Sequence, residues 1–102
     1  MKSALDQLCD WYSSNCDGEW EHQHGVMIST LDNPGWLIRI DLSYTDQELK
    51  PIALFEDHRT EHDWVVAKED QKEDSRYYFT AGGPNNIEEM IQRFLDWTND
   101  AL

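Results

Sequence analysis

The sequence predicts an α+β domain, an antiparallel sheet of about five strands with an N-terminal and a C-terminal helix packed on it, filling residues 1–102. Two apolar runs meet at the turn Asp32-Asn33-Pro34-Gly35, three further runs rich in aromatic and β-branched residues follow, and the chain closes on apolar residues at helical spacing. Short connections between successive strands favour antiparallel pairing, with the helices covering one face. A chain of this length buries roughly 65% of the surface its unfolded form exposes, enough for a single core without staples.

Ser3 can cap a first helix running to about Ser14, with Leu5, Leu8 and Tyr12 at helical spacing, Trp11 broadening the stripe and Cys9 near the core. Asn15-Cys16-Asp17-Gly18 ends it. The ionisable and aromatic segment Glu19-Trp20-Glu21-His22-Gln23-His24-Gly25 then reads as a loop of the kind that carries binding residues. In the hairpin, residues 26–31 lead in and Trp36, Ile38, Ile40 and Leu42 alternate with Leu37, Arg39 and Asp41 on the way out. Pro34 presets φ for the turn, and Gly35 can take the positive φ of a type II corner. Residues 43–51 form a polar connection that Leu49 can pin. Strands are expected at Ile52 to His58, at 63–68 and at 76–81, the last two joined by the charged loop 69–75. Gly82-Gly83-Pro84 breaks the pattern, Asn85 caps the final helix with Glu88 and Glu89 in its first turn, and Ile87, Met90, Ile91, Phe94, Leu95 and Trp97 give it a broad apolar face.

The chain carries 21 acidic against 8 basic residues, a formal net charge of −13. Phosphates repel such a surface, so neither nucleic acid nor an anionic membrane is an expected partner, whereas a basic protein is attracted by it. No apolar run approaches the ~20 residues that span a bilayer, and Met1-Lys2-Ser3 leads into Asp6 and Asp10 rather than a signal-peptide core, so a soluble, cytoplasmic protein is expected. Cys9 and Cys16, if on one helix, stand about 10 Å apart along its axis, beyond the ~7 Å a disulfide spans, so free thiols are expected.

Chemistry is thinly signalled. His22, His24, His58 and His62 invite a metal, but nothing in their spacing brings three or four ligands together, and no metal or cofactor is expected. Carboxylate pairs such as Glu56 with Asp57 or Glu19 with Glu21 arise from composition in so acidic a chain. Gly82-Gly83-Pro84 lacks the Lys-Ser or Lys-Thr of a phosphate loop, and no Ser or Cys sits in a nucleophile motif, so the protein is not expected to be an enzyme. Five tryptophans are many for this length. Trp20, between Glu19 and Glu21, reads either as an interface anchor or as a cap over the hairpin core.

Trp11-Tyr12, Cys16-Asp17-Gly18-Glu19-Trp20-Glu21-His22, Gly25, Thr30-Leu31-Asp32-Asn33-Pro34-Gly35-Trp36 and Ile40-Asp41-Leu42 together resemble the immunity protein 53 family, small proteins encoded beside bacterial polymorphic toxins. Asp63-Trp64 and the ending from Gly83-Pro84-Asn85-Asn86-Ile87 to Phe94-Leu95-Asp96-Trp97 fit the resemblance, which covers nearly the whole chain. It implies a non-enzymatic antidote that binds and neutralises a cognate toxin domain, frequently a basic nuclease, through an acidic protein–protein interface. The candidate toxin-binding residues are Asp17, Glu19, Trp20 and Glu21 in the first half and Glu56, Asp57, Glu61 and Asp63 in the second. The protein is expected as a monomer or weak homodimer. Two rival readings differ in class: a small metal-dependent enzyme using His22, His24 and nearby carboxylates, and a scaffold module that self-associates through a sheet edge.

Overall fold

A computed structural model describes residues 2–100. Helix α1, Ala4–Asn15, starts where Ser3 takes an extended backbone and its Oγ accepts the Asp6 N–H at 3.1 Å. Ala4, Leu8 and Trp11, at i, i+4 and i+7, form its inward face. Leu5 and Tyr12, expected in that stripe, lie outward, and Cys9 is exposed rather than near the core because it sits about 100° round the helix from Leu8. A one-turn helix α2, Trp20–Gln23, occupies the segment expected to be loop.

The sheet holds β1 (Val26–Leu31), β2 (Gly35–Asp41), β3 (Phe55–His58), β4 (Trp64–Lys72) and β5 (Ser75–Gly82) in the order β1-β2-β5-β4-β3, every neighbouring pair antiparallel. Helix α3, Ile87–Asn99, closes the described chain. The α+β architecture with five strands and a helix at each end is therefore the one expected.

Several boundaries differ for physical reasons. Gly35 is the first residue of β2, paired with Leu31, and does not take a positive φ; the turn is made by residues 32–34. Glycine is required there because a Cβ would collide with the Gly82 carbonyl oxygen on the neighbouring strand. The charged stretch 69–75 is mostly strand, with Glu69 opposite Tyr78 and Lys72 opposite Ser75. Only Glu73 and Asp74 turn, Glu73 with φ +57 as the mirror-image hairpin turns require. Asn86, not Asn85, precedes α3, and its side chain caps no helix N–H: it accepts the Trp64 N–H and donates to Asp63 and, at 3.5 Å, to Glu89.

Helix α3 lies on the sheet face formed by Ile38, Ile40, Tyr78, Thr80, Val65 and Ala67, where Met90 and Phe94 are fully buried, and α1 packs beside α3 with Ala4 and Leu8 in the same core. Edge-on contacts join the layers: Trp11 and Tyr78 each meet the Phe94 ring with centroids 5.1 Å apart. Burial pushes the Tyr78 hydroxyl up to about 12. The alternate residues, Leu37, Arg39, Tyr77, Phe79, Val66 and Lys68, face away from the helices.

Residues 42–54 cross one end of the sheet from β2 to β3. Leu49 does not pin this connection; it is 91% exposed. The pins are polar: Arg76 Nη1 donates to the Glu48 carbonyl at 2.7 Å, Lys50 Nζ to the Asp100 carbonyl at 2.6 Å, and Trp97 Nε1 to the Pro51 carbonyl at 2.9 Å. Among the described residues no helix is long and apolar enough to cross a membrane.

Candidate functional site

The segment between α1 and β1 is shaped by its own carboxylates. Asp17 Oδ1 accepts the N–H groups of Glu19 and Trp20, both at 2.9 Å. The Glu21 carboxylate reaches back to the N–H groups of Asp17 and Gly18 at 2.9 and 2.8 Å. Gly18 makes this loop possible with φ +94. The Trp20 and Glu19 N–H groups hold the Asp17 carboxyl below its ordinary value. The Glu21 carboxyl is lowered by its own N–H and then by those of Asp17 and Gly18. Both groups thus stay charged while closing the loop on itself.

This loop drives Trp20 inward. Its ring is 5% exposed, packs edge-on against Trp11 with centroids 6.1 Å apart, and donates Nε1–H to the Ser43 carbonyl at 2.8 Å. Trp20 is therefore a cap over the core and a wall of the site, not a presented anchor. His24 follows, its Nδ1 2.6 Å from Asp41 Oδ2, with the two side chains 12% and 3% exposed. Asp41 Oδ1 accepts the Ser43 N–H at 2.9 Å, so one carboxylate ties α2 to the end of β2. The alternation of β2 places Asp41 with the outward residues and gives no reason to single it out. The usable signal was a carboxylate flanked directly by the apolar residues Ile40 and Leu42.

Next to this tie stands Tyr44, 79% exposed and in the left-handed region at φ +63. An L-residue reaches that region at a cost of about 1–2 kcal/mol, and it is kept there only where the surroundings fix it. The fixing is visible: Ser43 is held from both sides by Trp20 and Asp41, and Thr45 donates its N–H and its hydroxyl to the Leu42 carbonyl at 3.1 and 2.8 Å. The Tyr44 ring lies 5.6 Å from that of His24. Together Asp17, Glu19, Trp20, His22, His24 and Tyr44 line an open cleft of about 670 Å³.

The second candidate group is elsewhere. Glu56, Asp57, Glu61 and Asp63 surround the β3–β4 turn, where Trp64 and Gly82 lie, whereas the cleft adjoins Asp41 at the other end of the strands. The two groups do not converge. Arg59 meets Asp57 at 3.0 Å, Asp63 at 2.8 Å and Glu89 at 2.7 Å. Asn86 and then Arg59 lower the Asp63 carboxyl, Arg59 lowers that of Glu89, and the guanidinium is raised in return by Glu89 and Asp63. Glu56 stands 3.6 Å from His58, and Glu61 is exposed.

Other cations are drawn inward in the same way. Arg76 and Lys50 serve main-chain carbonyls, Arg93 lies 3.5 Å over the Phe55 ring, and Arg39 lies over Tyr77 and Phe79 while meeting Asp70 at 3.2 Å. Among the described residues no group of three or more His, Cys, Asp or Glu side chains is arranged to hold a metal ion. The cleft end therefore presents an exposed aromatic ring on a hydrogen-bonded turn, beside charged side chains.

Compared with known families, the chain matches the model described as immunity protein 53 over residues 5–99, from the first turn of α1 to the end of α3. No curated protein and no solved structure matches it. The chain therefore belongs to the immunity protein 53 family, and that membership implies a protein that neutralises a toxin.

Proposed function

We propose that this protein acts without chemistry of its own, in the cytoplasm, by docking the Tyr44 end of its sheet onto a basic surface of the toxin. A nuclease presents such a surface where it holds phosphates, and carboxylates laid over it displace the substrate. The observation that carries this reading is Tyr44: an exposed aromatic side chain held in a costly backbone conformation by Trp20, Asp41 and Thr45. Glu19 on the cleft rim and Asp46 and Glu48 on the same connection supply charge without an ion-pair partner among the described residues. Of the eight candidate residues, Asp17, Glu19 and Glu21 belong to this end, with Trp20 beneath them. Asp57 and Asp63 are already neutralised by Arg59, and we assign them to the fold.

The test is capture of the toxin domain encoded by the neighbouring reading frame, at low and at moderate salt. Binding that weakens as the Debye length falls below about 10 Å supports an acidic interface. Binding indifferent to salt removes the charge from the argument, and no capture at either salt removes the neutralisation reading for that toxin.

A further inference from the structure

The two edges of the sheet are protected very differently. The β3 edge is four residues long and carries Glu56, Asp57 and His58, the charged short strand by which proteins discourage unwanted pairing. The β1 edge is six residues long, Val26-Met27-Ile28-Ser29-Thr30-Leu31, with no charged residue in a chain that is 28% charged. Its register runs unbroken from Val26 opposite Ile40 to Leu31 opposite Gly35, without a bulge. Met27 and Ile28 are 45% and 39% exposed. None of the usual guards, a charge, a proline or a bulge, is present on it.

The direction of its main-chain groups follows from one hydrogen bond. Asp41 donates its N–H to the Gly25 carbonyl at 3.0 Å, and these residues stand opposite one another in register. By the alternation of antiparallel ladders, Met27, Ser29 and Leu31 exchange bonds with β2, while the N–H and C=O groups of Val26, Ile28 and Thr30 point away from the sheet. That row is a template for another strand.

We infer that the β1 edge takes up an extended segment of the toxin as a sixth strand, an inference that rests on the neutralisation reading above. Charge decides between this occupant and a second copy of the chain. Two copies each at −13 repel, whereas a basic protein is drawn in. The surroundings also set the chemistry of the segment. Residues His24 and Gly25 lead into Val26, and the exposed Asp32 follows Leu31, so the turn end of the edge is acidic and its middle is uncharged. The segment that fits is uncharged at its centre, with apolar side chains at alternate positions and a Lys or Arg where it meets Asp32.

Amide hydrogen exchange on the full-length protein, free and bound to the toxin domain of the neighbouring reading frame, tests this. The Ile28 and Thr30 amides exchange fast in the free protein and at least about tenfold more slowly in the complex, while those of Met27 and Ser29 are protected in both. Thr30→Pro removes one outward donor at a position where an edge strand tolerates proline, and is expected to weaken binding about tenfold. Ile28→Lys restores the missing guard and weakens binding similarly. Should Thr30→Pro fail to fold, the alternating protection in the unaltered protein decides. A bound toxin that leaves the Ile28 and Thr30 amides fast overturns the inference and spares the neutralisation reading. Protection of those amides in a dimer of the free protein overturns it in favour of a second copy. Failure of the unaltered protein to bind at all fells both.

Discussion

At the Arg59 end of the sheet, Asp57, Asp63 and Glu89 close on one guanidinium, and Asn86 adds an amide, so acidic and basic groups cancel within the fold. At the Tyr44 end, Asp17, Glu21 and Asp41 are satisfied mainly by backbone N–H groups and one histidine, and what is thereby fixed in place is an exposed aromatic ring. Similar side chains thus do opposite things. Carboxylates paired with a cation consume charge, whereas carboxylates paired with amides keep it and rigidify the chain. The net charge of a sequence does not say which arrangement it encodes.

The comparison breaks most visibly at Asp41. Asp41→Ala leaves the His24 ring and the Ser43 N–H without their buried partner and is expected to destabilise the protein by about 3 kcal/mol in urea unfolding. It also loosens the Tyr44 turn, so toxin affinity falls with it. Tyr44→Gly separates the two effects. It relieves the positive φ and raises stability by about 0.5–1 kcal/mol, while affinity falls by about 2 kcal/mol, roughly 30-fold. Full affinity in that variant takes Tyr44 out of the interface.

The other end supplies the control. Arg59→Ala breaks a solvent-screened cluster and is expected to lower Tm by no more than about 5 °C, with toxin binding unchanged. Loss of binding there would reverse the assignment of the two ends. The smallest effect is with pH. The carboxyls of Asp17, Glu21, Asp63 and Glu89 lie below their ordinary values in the folded protein, so the unfolded chain takes up protons first on acidification. Their contribution is complete above the unfolded value of about 4 and is lost as pH falls through the folded values. Circular dichroism along an acid titration reads this, and Asp17→Asn and Asp63→Asn each flatten part of the slope.

The elements that could be read in advance are those whose burial is periodic. Ile38 and Ile40 alternate, Met90, Ile91, Phe94 and Leu95 repeat at helical spacing, and Ser3 precedes α1, so the sheet, both terminal helices and the first cap were legible. Residues 69–75 were not, because there β4 and β5 carry charged residues and periodic burial fades, while main-chain pairing continues. The acidic loop was legible as a place where binding residues collect, but its organisation was not. That Trp20 turns inward depends on Ser43 and Asp17 offering partners, and that Tyr44 takes φ +63 depends on hydrogen bonds made by its neighbours. The Trp20–Ser43 contact joins residues 23 positions apart and leaves no mark in spacing.

The order β1-β2-β5-β4-β3 has a kinetic consequence. β1 with β2, and β3 with β4 and β5, are closed by short connections and can form on the microsecond scale on which hairpins form. The seam that pairs residues 36–41 with 77–82 is different, because the whole of the β2–β3 connection and two further strands must be gathered before its first bond is made. Docking of the two preformed units along β2 and β5 is therefore the step expected to be slow in folding. A segment that pairs with β1 adds to the unit farthest from the guarded edge, and can do so without disturbing that seam.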